Sequence, residues 1–322
     1  MILLTLLATL AQPAIVDGQL IQRGAPFRLA EALHGLGDGW GGYAVPRVLG
    51  RHQPCGGGVV SLEDGRREER GDAEPGGDVA IFFRVEGGRV TALRVLGTEC
   101  QVDAGGRSVV WWSSVGEQDS LAFLDALARA ANEELADGAV MAIAMHRSEE
   151  SDSRLEELAT SGVAQDTREK AVFWLGAARG VRGLEALSRL ATGLDDSELR
   201  ENVAFALQVS DAAGAAERLV AMAKSDASAD VRGKALFWLA QEAGDLATSA
   251  IVDAVANDPE VELKEKAVFA LSRLPPGKGV PLLIDVAETH PEPRVRKKAM
   301  FWLGQSNDPR ALALFERILL ER

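Results

Sequence analysis

A mainly α-helical fold is what this chain predicts: an α-solenoid of about six helix pairs over 119–322, carried behind a small β-rich domain over 15–118. Three observations lead there. A nine-residue phrase is said five times, as REKAVFWLG (168–176), RENVAFALQ (200–208), RGKALFWLA (232–240), KEKAVFALS (264–272) and RKKAMFWLG (296–304), and its phenylalanine returns every 32 residues. A second apolar segment precedes each phrase, its first member 18 residues before the phenylalanine: Leu155, Leu187, Leu219, Ile251 and Leu283. The first third has no such echo and is instead rich in β-branched and aromatic runs. Self-similarity at a fixed period of this length is the mark of stacked supersecondary units, each of which buries its apolar face against its neighbours.

Residues 1–14 read as a signal peptide. MILLTLLATLA (1–11) is apolar apart from its threonines and is then broken by Gln12-Pro13. That is too short to span a bilayer and suits a leader core, with Thr9-Leu10-Ala11 as the small-residue cleavage site. It lacks a positive leading region, so a buried N-terminal strand is the competing reading. The expected location is periplasmic or secreted, or cytoplasmic if the segment is no leader. No membrane insertion is expected after its removal.

Over 15–118, residues 27–36 can form one short helix, GWGGYAVP (39–46) reads as an exposed loop with Trp40 and Tyr43 available for recognition, and 66–77 is charged and Pro/Gly-rich. Strands are expected at 79–85, 90–96, 100–104 and 108–113, separated by EGG and GG turns, which predicts a small antiparallel meander. It would cap the open end of the solenoid. The two cysteines, Cys55 and Cys100, both precede the repeats, and in an exported chain they suggest one disulfide. A metal site using His52 with both cysteines, or two free thiols, are the alternatives.

From 119 onward the pattern is helical. The 18-residue offset also places Phe123 before Met141, a degenerate first pair, and leaves Phe315 on a closing helix with no phrase after it. Asp258-Pro259 and Asp308-Pro309 have the form of a cap followed by a first-turn proline, while Gly180, Gly244 and Pro275-Pro276 punctuate the array.

Val231-Arg232 with Ala235 and Leu239, and Val295-Arg296 with Ala299 and Leu303-Gly304, resemble the V-R-x-x-A-x-x-A-L-G signature of HEAT repeats, in particular the short type named after phycobilisome lyases. The resemblance covers roughly 120–322 and implies a HEAT-like, armadillo-type superhelix whose second helices line a concave surface. It also implies an Asp/Arg ladder between successive loops, here Arg168, Arg200, Arg232, Lys264 and Arg296 near Asp195, Asp226 and Asp258; a phosphate-binding row is the other reading of those cations. Activity does not follow from the resemblance, because the scaffold hosts adaptors, lyases, hydroxylases and nucleic-acid enzymes.

The helical wheel separates core from face. At 100° per residue, Val231 and Leu239 fall within about 40° of Ala235, so this trio and its counterpart Val295, Ala299 and Leu303 form the core stripe. Phenylalanine, two residues after the alanine, lies about 200° round. Phe173, Phe205, Phe237, Phe269 and Phe301 therefore either lean sideways on the next repeat or form an exposed ladder, with Lys170, Lys234, Lys266 and Lys298 on one flank and Glu169, Glu201 and Glu265 on the other. If exposed, a ladder phenylalanine should cost less than about 1.5 kcal/mol to truncate. Trp174, Trp238 and Trp302, about 60° from the core centre, read as packing against Ala206 and Ala270.

A net charge of −13 and a pI near 4.9 speak against a phosphate-tracking groove or an anionic membrane surface. His34, His52, His146 and His290 are scattered and none is followed by glutamate, unlike the paired His-Glu motifs of the HEAT-like hydroxylases. Neither HExxH nor GxSxG, a Walker loop or a dinucleotide fingerprint is present. The expectation is an exported, non-enzymatic scaffold without metal or cofactor, binding a protein or peptide along the concave ladder and not nucleic acid. The alternative is a bilin-lyase-like enzyme that handles an apolar small molecule in the same groove.

Overall fold

A computed structural model describes residues 12–48, 58–69, 77–130, 132–242 and 244–320. The segment read as a leader core (1–11), His52 and Cys55 lie outside the described residues. The chain divides into two compact units, Met1–Gly183 and Leu184–Arg322.

The first unit opens with β1 (Ala14–Arg23), α1 (Leu29–His34), β2 (Gly39–Pro46), β3 (Gly58–Ser61), β4 (Arg67–Glu69), β5 (Asp78–Glu86), β6 (Arg89–Gly97) and β7 (Gln101–Trp112). These strands form one sheet in the order β4-β3-β7-β2-β5-β6, with β1 also paired to β7. The expected antiparallel meander is thus corrected to a mixed sheet: β5 and β6 make the predicted hairpin, but β7 runs parallel to β1, β2 and β3. The two strands expected at 100–104 and 108–113 are one strand. Gly105 and Gly106 adopt positive φ in its middle, and the register with β1 shifts on either side of Asp17, next to Gly18. Such a bulge bends the strand without ending it.

GWGGYAVP is likewise a strand and not an exposed loop. Trp40 and Tyr43 are 1% and 0% exposed, because β2 lies between β5 and β7. Its glycines serve close packing: a Cβ on Gly41 would meet the Trp112 ring at 2.7 Å, and one on Gly42 the Phe82 ring at 2.9 Å. The bare backbone is the floor on which those rings lie. Cys100 is buried ahead of β7, and among the described residues no cysteine is free.

The sheet packs on α2 (Glu117–Ala128) and α3 (Glu133–Met145), which are followed by α4 (Glu150–Thr160) and α5 (Gln165–Ala178). Phe83 of β5 meets Phe123 of α2 edge-on, and Leu93 of β6 lies against Gly138 of α3. A buried hydrogen-bond chain joins the layers. His146 Nδ1 is 2.8 Å from the Ala142 carbonyl, which only accepts, so Nδ1 carries the hydrogen and Nε2 accepts from the Ser120 hydroxyl at 2.9 Å. Ser120 Oγ in turn accepts from the Tyr43 hydroxyl at 2.6 Å. Burial is the main force pushing the Tyr43 phenol well above its ordinary pKa.

The second unit holds most of α6 (Gly180–Gly193), then α7 (Ser197–Val209), α8 (Ala215–Ser225), α9 (Ala229–Glu242), α10 (Asp245–Asn257), α11 (Val261–Arg273), α12 (Pro276–Thr289), α13 (Pro293–Gln305) and α14 (Pro309–Leu320). In the first unit α2/α3 and α4/α5 form helix pairs, and in the second α8/α9, α10/α11 and α12/α13 do, with α14 packed on the last of them. Val231, Ala235 and Leu239 are fully buried, as are Val295, Ala299 and Leu303, and so are Leu219 and Ile251 of the first helices. Each large aliphatic side chain so buried contributes about 1.5–3 kcal/mol.

Arg200 and Arg232 tie loops together as the resemblance implies, whereas Lys264 donates to the Ala256 carbonyl and Arg296 to those of His290 and Pro291. Arg200 donates to Asp226 at 2.9 and 3.0 Å and to the Leu194 and Asp195 carbonyls. Arg232 repeats this with Asp258 and the Asp226 carbonyl. Each guanidinium thus satisfies carbonyls of the loop before its own helix and the carboxylate of the next loop.

Candidate functional site

The second helices of the pairs pack side by side, α7 on α9, α9 on α11 and α11 on α13. This spacing brings the phrase aromatics into one stack. Phe205 lies 4.8 Å from Trp238 between ring centroids, Trp238 is 4.8 Å from Phe237, and Phe237 stacks on Phe269 at 6.1 Å with an interplanar angle of 11°. Phe269 then meets Trp302 at 4.9 Å, and Trp302 meets Phe301 at 5.0 Å. In the first unit, Phe173 and Trp174 repeat the edge-on contact at 5.2 Å.

The two readings of the ladder are therefore halves of one arrangement. Phe205, Phe237 and Phe269 each lean on the following repeat, and with Phe173 they still keep part of their surface open, while Phe301 is 53% exposed. Offset and edge-on contacts of this kind add about 0.5–1.5 kcal/mol beyond area burial. This raises the expected cost of Phe237→Ala to about 2 kcal/mol, between the surface and fully buried cases. Phe301→Ala, with one ring neighbour, should stay within about 0.5 kcal/mol. Urea unfolding of both variants checks the gradient; equal losses would show that stacking does not set it.

Trp238 and Trp302 pack between helices as their place on the wheel implies, and in doing so they are the rungs that connect the phenylalanines. Their recurrence two repeats apart, beside the phenylalanine, was the available signal. Their indole N–H groups are buried without an acceptor among the described residues, at a cost of about 1–3 kcal/mol each. Aromatic packing here takes precedence over polar satisfaction.

Charges rim the stack. Lys170 pairs with Asp137 and Asp166, Lys234 with Glu201 at 3.9 Å, and Lys266 with Asp230. Burial works to lower the Lys170 pKa, but the two aspartates outweigh it and hold the ammonium above its ordinary value. Lys266 holds the Asp230 carboxyl below the usual range. Glu265 pairs with Arg294 at 3.1 Å, and Lys298 is half-buried near Phe269 and Trp302.

The one serine–histidine pair described, Ser120 with His146, is sealed in the first unit, with both residues buried and the ring oriented by a backbone carbonyl. His290 bridges the Val255 carbonyl and the Glu292 amide. Among the described residues no group of three or more His, Cys, Asp or Glu side chains is arranged to hold a metal ion, and no helix is long and apolar enough to cross a membrane.

Fold and face together define an α-solenoid with an aromatic ladder on its second helices. Residues 248–322 match the family model for HEAT repeats. A comparison of the sequence with curated proteins finds no match. Among solved structures, the chain is similar to YibA of Escherichia coli (17% identity, 64% of this chain and 77% of that one, TM-score 0.37) and to the CpcE–CpcF phycocyanin lyase complex of Nostoc (19%, 48% and 99%, 0.37). Human deoxyhypusine hydroxylase is a further one (15%, 63% and 86%, 0.28).

Proposed function

We propose that the protein is a non-enzymatic scaffold that binds a protein or peptide partner along the aromatic ladder. The observation that carries this reading is the run Phe205, Trp238, Phe237, Phe269, Trp302, Phe301, continuous and partly open to solvent. Large rigid rings with a charged rim are the composition of interface anchors, since they bring contact area at little entropic cost. Affinity capture tests it, with wild type compared against Phe205→Ser/Phe237→Ser/Phe269→Ser after circular dichroism has shown the triple variant to be folded. A partner retained equally by both proteins would sink the proposal.

We also propose, from the leader-like run at 1–11 and the two cysteines of the first third, that the chain works outside the cytoplasm with a Cys55–Cys100 disulfide. Thiol titration of denatured protein recovered from the envelope fraction should find no reactive thiol, and reduction should cost about 2–4 kcal/mol of stability. Two titratable thiols would remove the bridge and weaken the case for export.

A further inference from the structure

At Arg273 the chain departs from its own repeat. The same position holds Gln241 one repeat earlier and Gln305 one repeat later, so the packing of the array does not ask for a cation there. Arg273 is exposed at the end of α11. The acids nearest in the pattern belong to other cations, Asp245 to Lys278 and Glu265 to Arg294, and among the described residues Arg273 has no ion pair.

Its side chain lines a cleft of about 540 Å³ in the second unit, between the α11–α12 and α13–α14 connections. The floor is apolar: Leu271, Leu274, Val280 and Leu283 are at most 5% exposed, and Trp302 lies beside them. One acid lines the cleft, Asp308, and it is already engaged. Arg310 donates to one of its oxygens from Nε at 2.8 Å and to the other from Nη2 at 2.7 Å, and the Arg310 amide adds a third bond at 2.9 Å. These hydrogen bonds hold the carboxyl down at about 2. Because a guanidinium matches a carboxylate at two points, Asp308 and Arg310 close on each other, and Arg310 is not itself a lining residue. The serines of the cleft are occupied as well, Ser272 donating to the Phe269 carbonyl at 2.7 Å and Ser306 to the Leu303 carbonyl at 2.8 Å. What remains is one uncompensated guanidinium on the wall of an apolar cleft, of a size that suits a small molecule.

We propose that this cleft binds a small organic acid, with an aromatic or compact aliphatic body on Leu274, Val280 and Trp302 and a single carboxylate on Arg273. A carboxylate fits because the guanidinium presents two parallel N–H donors to it. The site does not rest on the partner-binding reading of the ladder, although Trp302 borders both.

The probes are 2-naphthoate and its neutral twin 2-naphthamide, titrated calorimetrically into the full chain. Naphthoate should bind about tenfold more tightly than the amide, the usual margin of a charge-assisted hydrogen bond. Arg273→Gln, which installs the side chain of the neighbouring repeats, should remove that margin and leave the amide within about twofold. Ser306→Trp, which fills the cleft, should weaken both probes more than about tenfold with circular dichroism unchanged. Phe205→Ser/Phe237→Ser, on the ladder helices α7 and α9, should alter neither. Wild type that binds no naphthoate, equal affinity for the two probes, or a margin that survives Arg273→Gln overturns the proposal. So does unchanged binding in Ser306→Trp, or loss of binding in the ladder variant, since either would seat the probes elsewhere.

Discussion

Replacement of Arg179 by alanine is expected to cost about 3–5 kcal/mol, the loss typical of breaking a buried charged pair from one side. The Arg179 side chain is 0% exposed and donates to Asp152 and to the carbonyls of Ala144 (2.9 Å), His146 (2.5 Å) and Ser148 (2.6 Å). Those carbonyls belong to the end of α3 and the segment that leaves it, groups which no intrahelical donor can serve. One guanidinium thus ends a helix, fixes the route into α4 and neutralises an acid. Its removal leaves several buried acceptors and opens a cavity. Urea unfolding of wild type and Arg179→Ala, at unchanged m, measures this. A loss below about 1 kcal/mol would mean that water or Arg182, already 2.7 Å from Asp152, takes over the role.

The second large effect is a dependence on acid. His146 is buried, and burial, with the nearby Arg179 charge acting in the same sense, lowers its pKa to about 4 against the Ala142 hydrogen bond and Glu117. The unfolded chain takes up the proton near pH 6.5, whereas the folded chain resists it down to about 4. Over that window the unfolded state binds more protons, so stability is full above 6.5 and falls as the pH drops through it. The whole interval corresponds to about 3 kcal/mol for this group. Protonation would also put a hydrogen on Nε2, where the Ser120 hydroxyl now donates, and reverse the chain that starts at Tyr43. Unfolding free energies at pH 7, 5.5 and 4.5 should fall more steeply for wild type than for His146→Gln. Parallel curves would show that other groups carry the acid sensitivity.

Much of the solenoid was legible because its determinants are local and repeated. A stripe such as Val231, Ala235 and Leu239 needs only the 3.6-residue period to declare its face, and five copies of it average out accidents. The loop-tying arginines were legible for the same reason. The sheet was not. β7 pairs with β1 from nearly ninety residues away, and a local pattern of alternation does not say which distant strand will be the neighbour or in which direction it runs. Only the β5–β6 hairpin, closed by its own turn, was visible.

The candidate site divides along the same line. The 32-residue period, the position of the five phenylalanines off the core stripe and the charges beside them can be read along the chain, since all follow from helix geometry applied to one repeat. What happens between repeats is set in three dimensions. The side-by-side packing of second helices turned Trp238 and Trp302 from packing residues into rungs of the ladder. It also gave Glu265 to Arg294 and left Lys298 unpaired, because competition between two cations for one carboxylate is settled by distance and geometry in space, and neither is written in the order of residues along the chain.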